Sequence, residues 1–183
     1  MKERYYALFG ILGPLVAIIF IIAAIGLSPW FSWSNNALSD LGHSVKSDVA
    51  PLFNFGLLLG GFLIILYSLT SFRSHAKYTS YFLMFAGLAL QMVATFNEVY
   101  KPLHFQVSVL FFAALGFVSI SYIIEKRSVL VVAALVIGLV SWILYWLEIY
   151  SAGIAVPETI SSMATASWVV LSALRSFFAK STT

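Results

Sequence analysis

Apolar residues run in long blocks along nearly the whole chain, and the polar residues that interrupt them gather in short clusters between the blocks. Each block is long enough to cross a hydrocarbon core about 30 Å thick, which takes a helix of about 20 residues. The limits of the blocks predict six helices: Tyr6–Leu27, Pro51–Phe72, Tyr78–Phe96, Leu103–Ile124, Val129–Tyr150 and Glu158–Phe178. Pro14 predicts a kink in the first, a feature that membrane helices tolerate. Pro51 suits a first helical position, and Asp48 just ahead of it is expected to cap that helix. A cleaved signal peptide is the rival reading of the first block. Its apolar run is long for that role and no small-residue cleavage site follows, so an uncleaved helix is expected.

Composition agrees with this pattern. The chain is 61% hydrophobic and 9% charged, whereas soluble domains are about a quarter charged. The expected fold is all-α: a single polytopic membrane domain over residues 1–183, a six-helix bundle with a short interfacial or re-entrant segment after the first helix. With no cysteine, disulfides, thiolate catalysis and thiolate metal sites are excluded.

Charge then orients the bundle. Lys2, Arg4, Arg73, Lys77, Lys126, Arg127, Arg175 and Lys180 fall on the side that holds both predicted termini, and only Lys46 and Lys101 fall on the other. The positive-inside rule places both termini in the cytoplasm of a multi-pass cell-membrane protein. The basic residues are thereby accounted for, and no nucleic-acid partner is expected. Carboxylates sort the other way: Asp40, Asp48, Glu98, Glu148 and Glu158 all fall at outer helix ends, joined by His43 and His104.

The densest polar stretch is Asn35–Ser44, wedged between the first two blocks. If residues 36–42 form a short helix, Asp40 and His43 share a face at i, i+3, with Asn36 or Ser39 bonding its end and Gly42 permitting a tight turn. Helical spacing supplies neighbours. Gln91, Thr95 and Glu98 form a stripe at i, i+4, i+7. His104 and Ser108 are one turn apart, and Glu158, Ser161, Ser162 and Thr165 share a face. Asn54 lies one turn into the second block, above a Gly56-x-x-x-Gly60 close-packing pattern. Asn54, Gln91 and Ser108 read equally well as hydrogen bonds between helices. Ionisable groups at membrane depth are functional candidates by default, so Asp40, His43, Glu98 and His104 are the candidate catalytic residues. Asn36, Ser39, Asn54, Gln91, Glu158 and Ser161 are the candidate binding residues.

Asn36-Ala-Leu-Ser-Asp-Leu-Gly42 followed by Ala50-Pro-Leu-Phe-Asn-Phe-Gly-Leu-Leu-Leu-Gly60 resembles the prokaryotic membrane family catalogued as domain of unknown function 998. The resemblance extends over essentially the whole chain and implies six spans. More distantly, the Ser-Asp-x-Gly motif and His104 at the opening of a later helix are similar to the eukaryotic Frag/DRAM/Sfk membrane proteins. That likeness implies a connection with lipid remodelling or lipid organisation. Leu41 stands where those proteins usually carry threonine.

Three functions follow in order of preference. The first is binding or organising a membrane lipid through its headgroup at the polar outer end. The second is a metal-dependent hydrolase acting on lipid, with His43, His104 and Asp40 as ligands of a divalent metal such as zinc; their spacing matches no zinc signature, so no cofactor is expected. The third is transport of protons or small solutes. Runs such as Leu63–Leu66 leave the inner halves of the helices largely apolar, and Val118–Ile124 offers only hydroxyls, which disfavours it.

Overall fold

The structure is a computed structural model that describes residues 2–179, with side chains described from Arg4 onward. Lys180 and the side chains of Lys2 and Glu3, three of the charges that bear on orientation, lie outside the described residues. Within them the chain forms seven α-helices and no strand: α1 Lys2–Gly26, α2 Ala50–Leu69, α3 Ser71–His75, α4 Lys77–Thr95, α5 Pro102–Lys126, α6 Val129–Trp146 and α7 Ala155–Phe178. Two 3-10 turns, Leu38–Gly42 and Glu98–Tyr100, join them.

Five helices, α1, α2, α4, α5 and α6, are long and apolar enough to cross a membrane. Helices suit that setting because they satisfy every backbone polar group within one segment. The last helix, α7, is also long at 24 residues, but Ser161, Ser162, Thr165, Ser167 and Ser172 make it less apolar than the other five.

Local bonds set the helix limits. The second predicted helix stops at Leu69, where the Thr70 backbone leaves the helical region (φ −108°, ψ −102°) while its N–H and hydroxyl close the last turn on the Leu66 carbonyl. The chain breaks there and resumes as the short α3. The third stops at Thr95, and the Asn97 side chain then accepts the Val99 N–H to open a 3-10 turn. The fifth stops at Trp146, just before Glu148 takes a left-handed φ of 53°. Asp48 does not cap α2: Val49 occupies that position and no side chain bonds the helix end.

In space α1 packs on α2, α2 on α4, α4 on α5, α5 on α6, α6 on α7 and α7 back on α1, closing a ring. Glycines bring the first three together. A Cβ on Gly60 would lie 2.9 Å from the Gly13 carbonyl oxygen of α1, and one on Gly61 would lie 2.6 Å from the Gly87 carbonyl oxygen of α4. Adjacent glycines thus let α2 approach α1 on one side and α4 on the other. The two ends of the ring fill differently. Toward α3, Tyr67, Phe72, Val118, Tyr122 and Trp168 pack into one buried cluster. Toward the Leu38–Gly42 turn, a cluster built on Leu41, Phe53, Leu57 and Leu90 packs against α1 and leaves the middle of the ring hollow.

Candidate functional site at the Asp40 end of the bundle

The Leu38–Gly42 turn folds over one end of the ring, and bonds from distant parts of the chain hold it there. Leu41 is fully buried beneath it. Asn54 of α2 donates its amide to the Gly42 carbonyl at 2.9 Å. A Cβ on Gly42 would come within 2.6 Å of Asn54 Oδ1 and 2.9 Å of the Phe53 ring, so only glycine fits so close to α2. Ser47 donates to the Leu41 carbonyl at 2.7 Å. On the other flank, the Gly153 N–H donates to the Trp33 carbonyl at 2.8 Å and the Ala155 N–H to the Asn36 carbonyl at 3.1 Å.

Asp40 serves the turn itself. Its Oδ2 accepts the Asn36 side-chain amide at 2.8 Å and the Ala37 N–H at 3.0 Å. Asn36 Oδ1 in turn accepts the Ser32 N–H at 2.9 Å. His43 follows the turn in an extended conformation, and its Nδ1 accepts the N–H groups of Val45 and Lys46, each at 3.3 Å. Asp40 and His43 therefore do not present one face: each closes its own short loop.

Ser39 faces the bundle. Its hydroxyl donates to Glu98 Oε1 at 2.9 Å, and the same oxygen lies 3.3 Å from His104 Nε2. The other imidazole nitrogen, Nδ1, is 2.7 Å from the Phe96 carbonyl. A carbonyl only accepts, so Nδ1 carries a proton. Nε2 then faces the Glu98 carboxylate. Ser108, one turn along α5, lies 3.3 Å from the same Nε2. A Ser39–Glu98 hydrogen bond, a Glu98–His104 contact and a His104–Ser108 hydrogen bond thus link the turn to α5.

Glu158, in the first turn of α7, is 8% exposed. Its Oε2 accepts the Leu38 N–H at 2.8 Å, a bond across 120 residues of sequence. Ser161 turns away toward α6, where it accepts the Trp142 indole N–H at 3.2 Å. Gln91 donates to the Leu58 carbonyl of α2 at 3.1 Å. Thr95 bonds back to its own helix, and Glu98 lies beyond the end of that helix, so the stripe expected along α4 is broken.

Beneath the turn lies a cavity of about 320 Å³ inside the ring, within the size range of small-molecule sites. Ile21, Leu57, Leu90, Phe111, Met163 and Val169 represent its apolar walls on α1, α2, α4, α5 and α7. Its polar wall is Ser39, Ser108, Glu158, Thr159, Ser162 and Thr165. No lysine, arginine or histidine lines it. Among the described residues no three His, Cys, Asp or Glu side chains group as metal ligands would. His43, His104 and Asp40, the set anticipated for a metal, are turned to separate partners.

Of the anticipated residues, the structure brings together Ser39, Glu98, His104 and Glu158 around the cavity and its covering turn. Asn36, Asp40 and Asn54 shape and anchor the turn, while His43, Gln91 and Ser161 stand apart. Gly153 escaped the sequence reading. A Cβ there would meet Asn36 O at 2.6 Å and Asn36 N at 2.9 Å, and no periodicity signals such a contact between loops.

No curated protein and no solved structure matches the chain. The likeness to the Frag/DRAM/Sfk proteins therefore rests on Ser39-Asp40-Leu41-Gly42 and His104 alone. A family profile matches residues 11–175, which takes in all or most of every helix and every residue of the site just described. The chain belongs to the family described as protein of unknown function (DUF998).

Proposed function

We propose that this protein binds a membrane amphiphile, with the tail in the cavity inside the ring and the polar end beneath the Leu38–Gly42 turn. One observation carries the reading: a cavity of about 320 Å³ with mostly apolar walls holds a buried carboxylate and several hydroxyls. Small-molecule sites combine apolar walls with a few fixed polar groups in this way, the walls supplying affinity and the polar groups orientation. A soluble polar solute would leave most of the lining without a partner.

The setting is a six-span bundle in the cell membrane with both termini cytoplasmic. Helix α7 makes the sixth crossing, since 24 residues extend roughly 36 Å. Arg4, Arg73, Lys77, Lys126, Arg127 and Arg175 then lie at the cytoplasmic end, and Lys46 and Lys101 outside, in keeping with the positive-inside rule. The site accordingly opens toward the outer leaflet. Transport fits poorly, because the packed cluster of Tyr67, Phe72, Tyr122 and Trp168 fills the other half of the ring.

A second reading, hydrolysis of the bound lipid, draws on the Ser39–Glu98–His104–Ser108 chain, whose two ends both touch the cavity. In that case Glu98 and His104 move protons to and from a group seated beside Ser39.

The test is native mass spectrometry of protein purified from its own membranes in mild detergent. The unaltered chain should retain one amphiphile per molecule, and Ala166→Trp, which fills the cavity from α7, should lose it. Identical spectra from the two proteins, or no retained lipid in either, would overturn the reading. Accumulation of a cleaved product that stops with His104→Ala would favour hydrolysis.

A further inference from the structure

We infer that the polar end of the bound amphiphile is an ammonium group seated on Glu158. The inference rests on the amphiphile reading above and adds the chemistry of the headgroup.

Asp48 and Glu148 are exposed, and the other three carboxylates at this end differ in what already holds them. Asp40 is engaged by the Asn36 amide and the Ala37 N–H. Glu98 is engaged by the Ser39 hydroxyl and by His104. Glu158 has a single donor, the Leu38 N–H on Oε2, and Oε1 takes no hydrogen bond from any of the described residues. Yet Glu158 is the most buried of the three, at 8% exposure, and it is the one that lines the cavity. A buried carboxylate is costly unless it is paired and hydrogen-bonded.

The hydroxyls around Glu158 point to the same chemistry. Ser39 commits its proton to Glu98, Thr159 to the Ala155 carbonyl and Thr165 to the Ser161 carbonyl. What these groups offer the cavity is lone pairs. Three of the five hydroxyls of the polar wall are thus committed as donors elsewhere, and Glu158 Oε1 is an acceptor without a donor. An ammonium carries three donors and no acceptor, so it matches this wall. A phosphate or carboxylate carries acceptors and negative charge, and it would meet repulsion from the Glu158 carboxylate.

The inference is tested with three probes that share one tail: dodecylamine, dodecanol and dodecyl phosphate, titrated at neutral pH into the protein in nanodiscs of neutral lipid. With the tail held constant, the amine should bind tighter than either of the others by about tenfold or more, the scale on which desolvated charge pairs couple. Glu158→Gln keeps an acceptor for the Leu38 N–H but removes the charge. In that variant dodecylamine should fall to the affinity of dodecanol, while dodecanol itself is unchanged. Glu125→Gln, at the far end of the bundle, should leave all three affinities as they were. Equal binding of the three probes, each abolished by Ala166→Trp, would overturn the ammonium while leaving the cavity reading intact. Absence of binding by any probe, with no effect of Ala166→Trp, would overturn both. Were Glu158→Gln to fail to fold, the ranking of the probes on the unaltered chain still decides.

Discussion

Each end of this bundle holds a glutamate, a histidine and several hydroxyls, but the two ends use them differently. At the α3 end, Glu125 accepts the Thr79 N–H at 2.9 Å, the Thr79 hydroxyl at 2.7 Å and the Tyr78 N–H at 3.4 Å. It reaches across from α5 to satisfy the first N–H groups of α4, which have no partner within their own helix. His75 meets the Tyr122 hydroxyl at 3.0 Å over a packed aromatic cluster. At the Asp40 end, Glu158 has one donor and a cavity in front of it. The comparison shows that residue type alone does not mark a site. A carboxylate saturated by backbone donors is part of the scaffold, whereas one left short of donors beside an empty volume is equipped for a ligand.

The strongest way to break this contrast is to disturb each end at a glycine. A Cβ at Gly153 would meet only backbone, Asn36 O at 2.6 Å and Trp33 O at 3.0 Å among it, so neither side can give by rotating a side chain. Gly153→Ala should separate the covering segment from α7, breaking its bonds to Trp33 and Asn36, and should weaken amphiphile retention about tenfold or more. At the other end, a Cβ on Gly10 would lie 2.6 Å from the fully buried Tyr67 ring. Gly10→Ala should cost about 1–3 kcal/mol of stability, the usual range for overpacking, with retention unchanged in the molecules that remain folded. Thermal midpoints and native mass spectra of the two variants measure both effects. Loss of retention in Gly10→Ala at full stability would erase the distinction between the ends.

A smaller effect separates the two glutamates. Glu125→Ala leaves the Tyr78 and Thr79 donors without their acceptor and should lower stability by about 1–2 kcal/mol, as loss of a helix cap does. Ligand affinity should not move. Glu158→Gln should show the reverse, with affinity lost and stability nearly kept. Chemical denaturation in mixed micelles, run beside the probe titrations, places each variant on one axis or the other. If Glu158→Gln is the more destabilising of the two, Glu158 belongs to the scaffold after all.

Much of this was legible in the sequence, for reasons that particular residues make clear. Long apolar blocks force helices, so the α2, α4 and α5 cores emerged within a few residues of their observed limits. The pairing of His104 with Ser108 followed from helical spacing and is seen as a contact. Spacing failed where the helix ended. Glu98 lies past the Thr95 terminus in a 3-10 turn, and that departure from α4 is what lets it reach Ser39 and His104. Asp40 and His43 failed for a related reason. His43 lies one residue past the Leu38–Gly42 turn in extended backbone, so no i, i+3 face forms, and the short polar side chains there bond the nearest backbone instead. The Gly153 contact and the Leu38–Glu158 bond join segments more than a hundred residues apart, and no local pattern encodes them.

The smallest effect expected is a pH dependence of stability at the α3 end. His75 lies in α3, outside the five apolar helices. Partial burial holds its imidazole below the ordinary value of 6.5; the Lys126 charge pushes the same way and Glu125 opposes. A depressed histidine binds its proton more weakly in the folded chain than in the unfolded one. Stability is therefore fully present above pH 6.5 and declines as pH falls through 6.5 toward the lower folded value, where the loss levels off. Thermal midpoints of the unaltered chain between pH 8 and pH 5 should show this decline, and His75→Gln should flatten that part of it. Retention of the amphiphile at the far end should be the same in both proteins at every pH. A pH-dependent midpoint that survives His75→Gln unchanged would assign the sensitivity elsewhere. If it were then accompanied by parallel loss of the ligand, stability and binding would share one titrating group, and the division of labour between the two ends would not hold.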